Sequence, residues 1–218
     1  MAPKRPKVVA RDVSLLDLAS KKAQLVDSLK NFYEEWKELP QEVFLLSERN
    51  KQLFKELVAN ELMSHSDKEV RLLLGCCLTE VLRIYAPEAP YPLPDMIRVF
   101  QLLIAQIRGL ETHDPKSSQG SMMLAILHSL AKVKSCVVPI MLLQQGVDEA
   151  QEVVTSLFEV MVNILRPDST EEGELKNDVY VCCYGLCVLC LMVIMCICGC
   201  GCMMRNTCNI SLALILHQ

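Results

Sequence analysis

Four histidines, twelve cysteines and twenty-six carboxylates are the side chains of this chain best suited to chemistry. Their spacing decides whether they perform any. His65, His113, His128 and His217 are scattered and never fall in HExxH or another ligand register. His65 and His113 stand in polar joints, as solvated residues do. His128 lies in a helical pattern and reads as an edge residue rather than a base. The chain has no GxSxG elbow, no GxxxxGK[ST] loop and no CxxC paired with a second CxxC at zinc spacing. Gly199 and Gly201 begin a GxG, but Met204 stands where a third glycine would be needed. The carboxylates are spread over helix-patterned segments as solvated charge. No catalytic residue, metal ligand or cofactor site is assigned, and an enzyme is not expected.

The densest run of potential ligands is YVCCYGLCVLCLMVIMCICGCGCMM, Tyr180–Met204, which holds eight of the twelve cysteines. No charge appears from Val179 to Met204. Cys196, Cys198, Cys200 and Cys202 offer soft donors suited to copper(I) or zinc. Their neighbours, however, are Leu, Val, Ile and Met, which supply none of the polar loop of a metal knuckle. As a helix the uncharged stretch would reach about 39 Å, enough to cross a bilayer with tilt as a tail anchor. Alternatively, the abrupt change of composition is what a mis-joined sequence produces, since such cysteine density is foreign to both spans and cores. The sequon Asn209-Ile210-Ser211 matters only if the C-terminus reaches a secretory lumen.

Arg205 is the sole charge after Asp178, so residues 1–178 hold 21 of the 22 basic side chains and all 26 acidic ones. Direct nucleic-acid binding calls for a concentrated basic face, and only Lys4, Arg5, Lys7 and Arg11 approach one. That head reads as a disordered, solvated leader or as a weak nuclear-import signal. Asp12 and polar residues follow it instead of an unbroken apolar run, so no secretory signal is expected. Cys76, Cys77 and Cys136 should therefore be thiols in a reducing compartment, each serving as a small hydrophobe.

The elements that would position any site are helices. Strand-type alternation is absent, and apolar spacings of three and four recur. Val26, Leu29, Phe32 or Tyr33, and Trp36 form one stripe that Pro40 ends. Leu46, Leu53, Phe54, Leu57, Val58 and Leu62 form another. Ser66 with Glu69 reads as a capping box before VRLLLGCCLTEVLRIYA, which is apolar around most of its girth and should be the inner member of a stack. A fourth stripe runs through Met96, Val99 or Phe100, Leu103, Ile107 and Leu110. A polar loop of about ten residues, ETHDPKSSQGS, comes next. Met122/Met123, Ile126/Leu127 and Leu130 resume the pattern, and a short apolar piece follows Pro139. Val153/Val154, Leu157/Phe158, Met161 and Ile164/Leu165 complete it. The pattern predicts an all-α fold, a HEAT-like α-solenoid of antiparallel helix pairs, with a plain helical bundle as the alternative. The apolar C-terminal segment could add one helix.

Four of the ten prolines lie in APEAPYPLP, Ala86–Pro94, where no helix can continue. A rigid, extended corner of this kind either sets the angle between two helix pairs or presents groups to a partner at low entropic cost. Tyr85 and Tyr91 bracket it with amphipathic rings, and Arg83 and Glu88 add charge that could orient a peptide.

The segment DKEVRLLLGCCLTEVLRIYAPEAPY, Asp67 to Tyr91, resembles the N-terminal region of the precocious-dissociation-of-sisters family of sister-chromatid-cohesion proteins. VRLL, CCL and RIYAPEAPY carry the resemblance. IRGLE (Ile107–Glu111) and LAKVKS (Leu130–Ser135) extend it, so that it covers about residues 14–166. Leu39–Arg49 and the aromatic-free Gly120–Ser135 depart from the pattern. The resemblance implies a nuclear, chromatin-associated HEAT-repeat scaffold that regulates the cohesin ring and docks peptide motifs of its release and maintenance factors. The docking residues it implies are Arg83, Tyr85, Ala86, Pro87, Glu88, Ala89, Pro90 and Tyr91. Contacts with the kleisin subunit and with inositol phosphate are expected further along the longer family members, outside this chain. The expected organisation is a basic leader 1–13, a HEAT unit 14–166, a linker 167–178, the apolar segment 179–204 and a tail 205–218. A membrane-tethered helical-repeat adaptor, anchored through 179–204, is the alternative function.

Overall fold

A computed structural model describes residues 22–41, 47–86, 88–133, 138–144 and 149–164. The leader, the linker, the apolar cysteine-rich segment 179–204 and Cys136 lie outside the described residues. Eight α-helices and one 3-10 turn make up the described chain: α1 (Lys22–Lys37), α2 (Glu48–Leu57), α3 (Asn60–Met63), α4 (Lys68–Tyr85), α5 (Leu93–Ile107), the turn Arg108–Glu111, α6 (Ser118–Lys132), α7 (Val138–Gln144) and α8 (Glu149–Ile164). No strand occurs among the described residues, and none of these helices is long and apolar enough to cross a membrane.

The helices stack in two layers, as the HEAT-like solenoid requires. In one layer α4 is flanked by α1 and α6; in the other α5 is flanked by α3 and α8, with α4 packed across α5. This arrangement follows from the girth of α4. Thirteen of its eighteen residues are buried, including Leu73, Leu74, Cys77, Leu78 and Ile84, so it must be covered from several sides. Each fully buried leucine or isoleucine contributes about 1.5–3 kcal/mol. Gly75 lets the layers close at the centre of α4, where a Cβ would stand 3.1 Å from Ile126 Cδ1 and 3.3 Å from Gln106 Cγ.

The stripe of α1 is buried as its spacing predicts, through Leu25, Val26, Leu29, Phe32 and Trp36. The second stripe is divided between two helices. Val58 ends α2 at φ −91°, ψ 9°, Ala59 turns extended, and α3 restarts to bury Leu62 completely. The cap of α4 also differs from the sequence reading. Asp67, not Ser66, is the N-cap, and its Oδ1 accepts from the amides of Glu69 (2.9 Å) and Val70 (3.3 Å). The carboxylate additionally faces Lys22, which holds its pKa below the usual value for aspartate, so charge complementarity favours Asp67 over a serine hydroxyl. The polar loop is shorter than expected because Ser117 caps α6 from within it, accepting from the Gly120 amide at 3.0 Å.

Candidate functional site

The proline-rich corner joins the C-terminus of α4 to the N-terminus of α5 and rests on an aromatic ladder. Phe32 stacks on Trp36 (centroids 5.5 Å apart, planes 8° apart). Trp36 meets the edge of Phe54 at 4.7 Å and 88°, and Phe54 meets Tyr85 at 6.1 Å and 69°. The second and third contacts have the edge-to-face geometry that aromatic quadrupoles favour. Three helices are thereby locked under the start of the corner.

Polar bonds tie the same place down. Arg83 donates from Nη2 to the Trp36 carbonyl (2.8 Å), from Nη1 to the Leu39 carbonyl (3.0 Å) and from Nε to Glu80 Oε2 (2.6 Å). It thus satisfies carbonyls at the C-terminal end of α1, where a cation is favoured. It also neutralises Glu80, which is only 7% exposed. Gln41 Nε2 donates to the Ala86 carbonyl at 3.1 Å. Ala86 holds φ −54°, ψ 136°, the extended conformation that a following proline enforces. The Glu88 amide donates to the Tyr85 carbonyl at 2.8 Å, closing a turn. At the far side the Tyr91 hydroxyl donates to the Phe54 carbonyl at 2.9 Å.

The residues singled out from the sequence therefore separate into two groups. Glu88 and Ala89 are exposed, and Tyr85, Ala86 and Pro90 are half-buried at the surface. Arg83 and Tyr91 do not face outward as the sequence reading expects. Arg83 turns back across α1 to bond the Leu39 carbonyl, and Tyr91 is buried with its hydroxyl on the Phe54 carbonyl, so each satisfies a backbone acceptor distant in sequence. Both are positioning residues. Pro87 lies outside the described residues.

Burial drives the Tyr91 phenol pKa well above its ordinary value, so it remains a proton donor to Phe54. Partial burial also raises that of Tyr85, and Lys51 pulls it back. Local pattern shows neither Gln41 nor Lys51 as part of this corner. Trp36 and Phe54, read from the sequence as core stripe, are also its floor.

Among the described residues no group of three or more His, Cys, Asp or Glu side chains could hold a metal ion. His65 Nδ1 accepts from the Asp67 amide at 3.1 Å beside the α4 cap, and His113 Nδ1 lies 2.9 Å from the Gly109 carbonyl. Cys76 and Cys77 are free buried thiols. Burial pushes Cys76 up to about 12 and Cys77 well above its ordinary value, which suppresses the nucleophilic thiolate.

Two layers of helices around an all-round-buried α4, carrying a braced proline corner, define a HEAT-like helical-repeat fold. Residues 23–185 match the family model described as "Sister chromatid cohesion protein PDS5 protein". The chain belongs to the PDS5 family of sister chromatid cohesion proteins. It is 33% identical over 145 residues to the Homo sapiens "Sister chromatid cohesion protein PDS5 homolog B", covering 66% of this chain and 10% of that protein. It is 40% identical over 86 residues to PDS5 homolog C of Arabidopsis thaliana, covering 39% of this chain and 10% of that one. The chain thus spans about a tenth of the length of these curated relatives. A solved structure described as "Structure of the Pds5-Scc1 complex and implications for cohesin function" shares the fold at a TM-score of 0.66 and 22% identity. The likeness covers 78% of this chain and 24% of that one. The family match runs beyond residue 166 to residue 185, inside the apolar segment that begins at 179, so its edge and the break in composition do not coincide.

Proposed function

We propose that this chain is a non-enzymatic, peptide-docking part of a cohesin-regulating scaffold, and that the corner Tyr85–Tyr91 is its docking surface. Residues 14–166 form the working HEAT unit, and the partners are the cohesin complex together with short motifs of its release and maintenance factors. The protein acts in the nucleus, associated with chromatin through those partners and without direct contact to nucleic acid.

The observation that carries this reading is the division of labour at the corner. Arg83, Gln41, Tyr91 and the aromatic ladder hold the backbone from beneath, while Glu88 and Ala89 stand exposed. A rigid surface of this kind loses little conformational entropy on binding. Glu88 supplies a carboxylate to orient a basic side chain of the incoming motif, and the half-buried Tyr85 ring and Pro90 supply apolar area.

The test is a pull-down of the full chain on an immobilised release-factor peptide, comparing wild type with Pro87→Ala/Pro90→Ala and with Glu88→Lys. The expected result is capture by wild type and loss by both variants at unchanged helicity. Equal capture of all three would show that the corner is not the site.

A further inference from the structure

A second surface lies along the exposed face of α5, away from the corner. Two adjoining depressions share Gln101 and Ala105 as their common floor. One, of about 520 Å³, opens toward α3 and the start of α4 and contains Asn60, Ser64, Arg71, Arg98 and Gln106. The other, of about 270 Å³, opens toward α8 and contains Arg108, Glu152 and Ser156. Together they make one shallow groove that runs from α3 and the start of α4 across α5 to α8.

Its charge is unusual for an acidic protein. Three arginines line it and, among the described residues, Glu152 is the only carboxylate that does so, while the whole chain carries a net charge of −4. Arg71 is fixed in place by donation from Nη1 to the backbone carbonyls of His65 and Ser66. Carbonyls orient a guanidinium without cancelling its charge. Among the described residues no carboxylate lies within ion-pair distance of Arg71 or Arg108. Arg98, which lines the same depression, is paired with Asp95 at 3.1 Å through one nitrogen of its fork. Asn60, Ser64, Gln101 and Gln106 add neutral donors beside these cations.

We propose that this groove binds an extended acidic peptide from a partner, its carboxylates held by Arg71, Arg98 and Arg108. Arg98 and Arg108 are ten positions apart, about 15 Å along the helix axis. An extended strand covers that distance in about five residues. Met63, Leu102, Ile104 and Val153 contribute apolar lining between the charges, which suits a peptide whose side chains alternate. A nucleic acid fits less well, because three cations neutralise few phosphates and the described lining offers no aromatic platform for bases. This surface is independent of the corner: one can fail while the other stands.

The experiment is fluorescence anisotropy with the full chain and a fluorescein-labelled peptide of about eight residues alternating Glu and Ala. A Lys-Ala peptide and an eight-nucleotide single strand of DNA serve as controls. The expected result is binding of the Glu-Ala peptide alone, with Kd raised at least about tenfold by Arg98→Glu/Arg108→Glu. If that variant loses helicity, Arg98→Gln/Arg108→Gln replaces it, with an expected rise of about fivefold. An unchanged Kd overturns the proposal, as does DNA binding as tight as the peptide. Tighter peptide binding by Glu171→Gln/Glu172→Gln/Glu174→Gln also overturns it, since the chain's own acidic stretch would then be the occupant.

Discussion

Replacing Arg83 by methionine tests how the corner is held. The substitution keeps most of the apolar stem and removes the guanidinium, leaving Glu80 without its 2.6 Å partner, the Leu39 carbonyl without its side-chain donor and the Trp36 carbonyl with the Leu39 amide alone. The two side chains are 17% and 9% exposed, so the pair lies close to the buried limit, where loss of one partner costs about 3–5 kcal/mol. Residual access to water places the expected loss near the lower end, about 3 kcal/mol. For a chain of this size that lowers Tm by roughly 6–12 °C. The assay is thermal unfolding followed by circular dichroism, with Glu80→Leu/Arg83→Met as the companion. The double variant removes the stranded carboxylate and should recover part of the loss. A Tm within 2 °C of wild type for Arg83→Met, or a double variant less stable than the single one, would refute the reasoning.

Further outcomes follow from the same packing. Asp67→Ala should melt below wild type and Ser66→Ala should melt with it, because only Asp67 caps α4. Gly120→Ala should cost about 1–3 kcal/mol by chemical denaturation, since the new Cβ would stand 2.0 Å from the Asp114 carbonyl oxygen and the backbone would have to move. Tyr91→Phe should cost about 1 kcal/mol by stranding the Phe54 carbonyl, without loss of ring packing. Cys76 has an ordinary pKa of 9.0 and a folded value of about 12, so its protonated form is favoured in the folded chain. Its contribution is complete below pH 9 and is lost as pH rises toward 12, with a slope of up to about 1.4 kcal/mol per pH unit. Stability measured from pH 8 to 10.5 should therefore fall less steeply for Cys76→Ala than for wild type.

The helices were legible because burial on one face imposes a period, and that period is local. The α1 stripe and the all-round burial of α4 follow directly from residue spacing. What pattern missed depends on partners distant in sequence. Arg83 reaches back 44 and 47 residues to Leu39 and Trp36, and Tyr91 reaches back 37 residues to Phe54. Spacing alone made both outward candidates; bonds to the Leu39 and Phe54 carbonyls turn them inward. The break at Val58 was hidden because Leu62 continues the apolar stripe into α3. Ser66 fitted a capping box, but a carboxylate one position later faces Lys22 and the same amides. The groove along α5 gave no motif, since its arginines come from three helix segments that only the two-layer stack brings together.

Photo-crosslinking tests the central claim most directly. A benzoylphenylalanine placed at Ala89 in the full chain, compared with one at Gln101, reports where a release-factor peptide sits. The account predicts a crosslink from position 89 that excess unlabelled peptide competes away, and none from position 101. A crosslink from position 101 alone, or none from 89 under conditions where the peptide is captured, would contradict it.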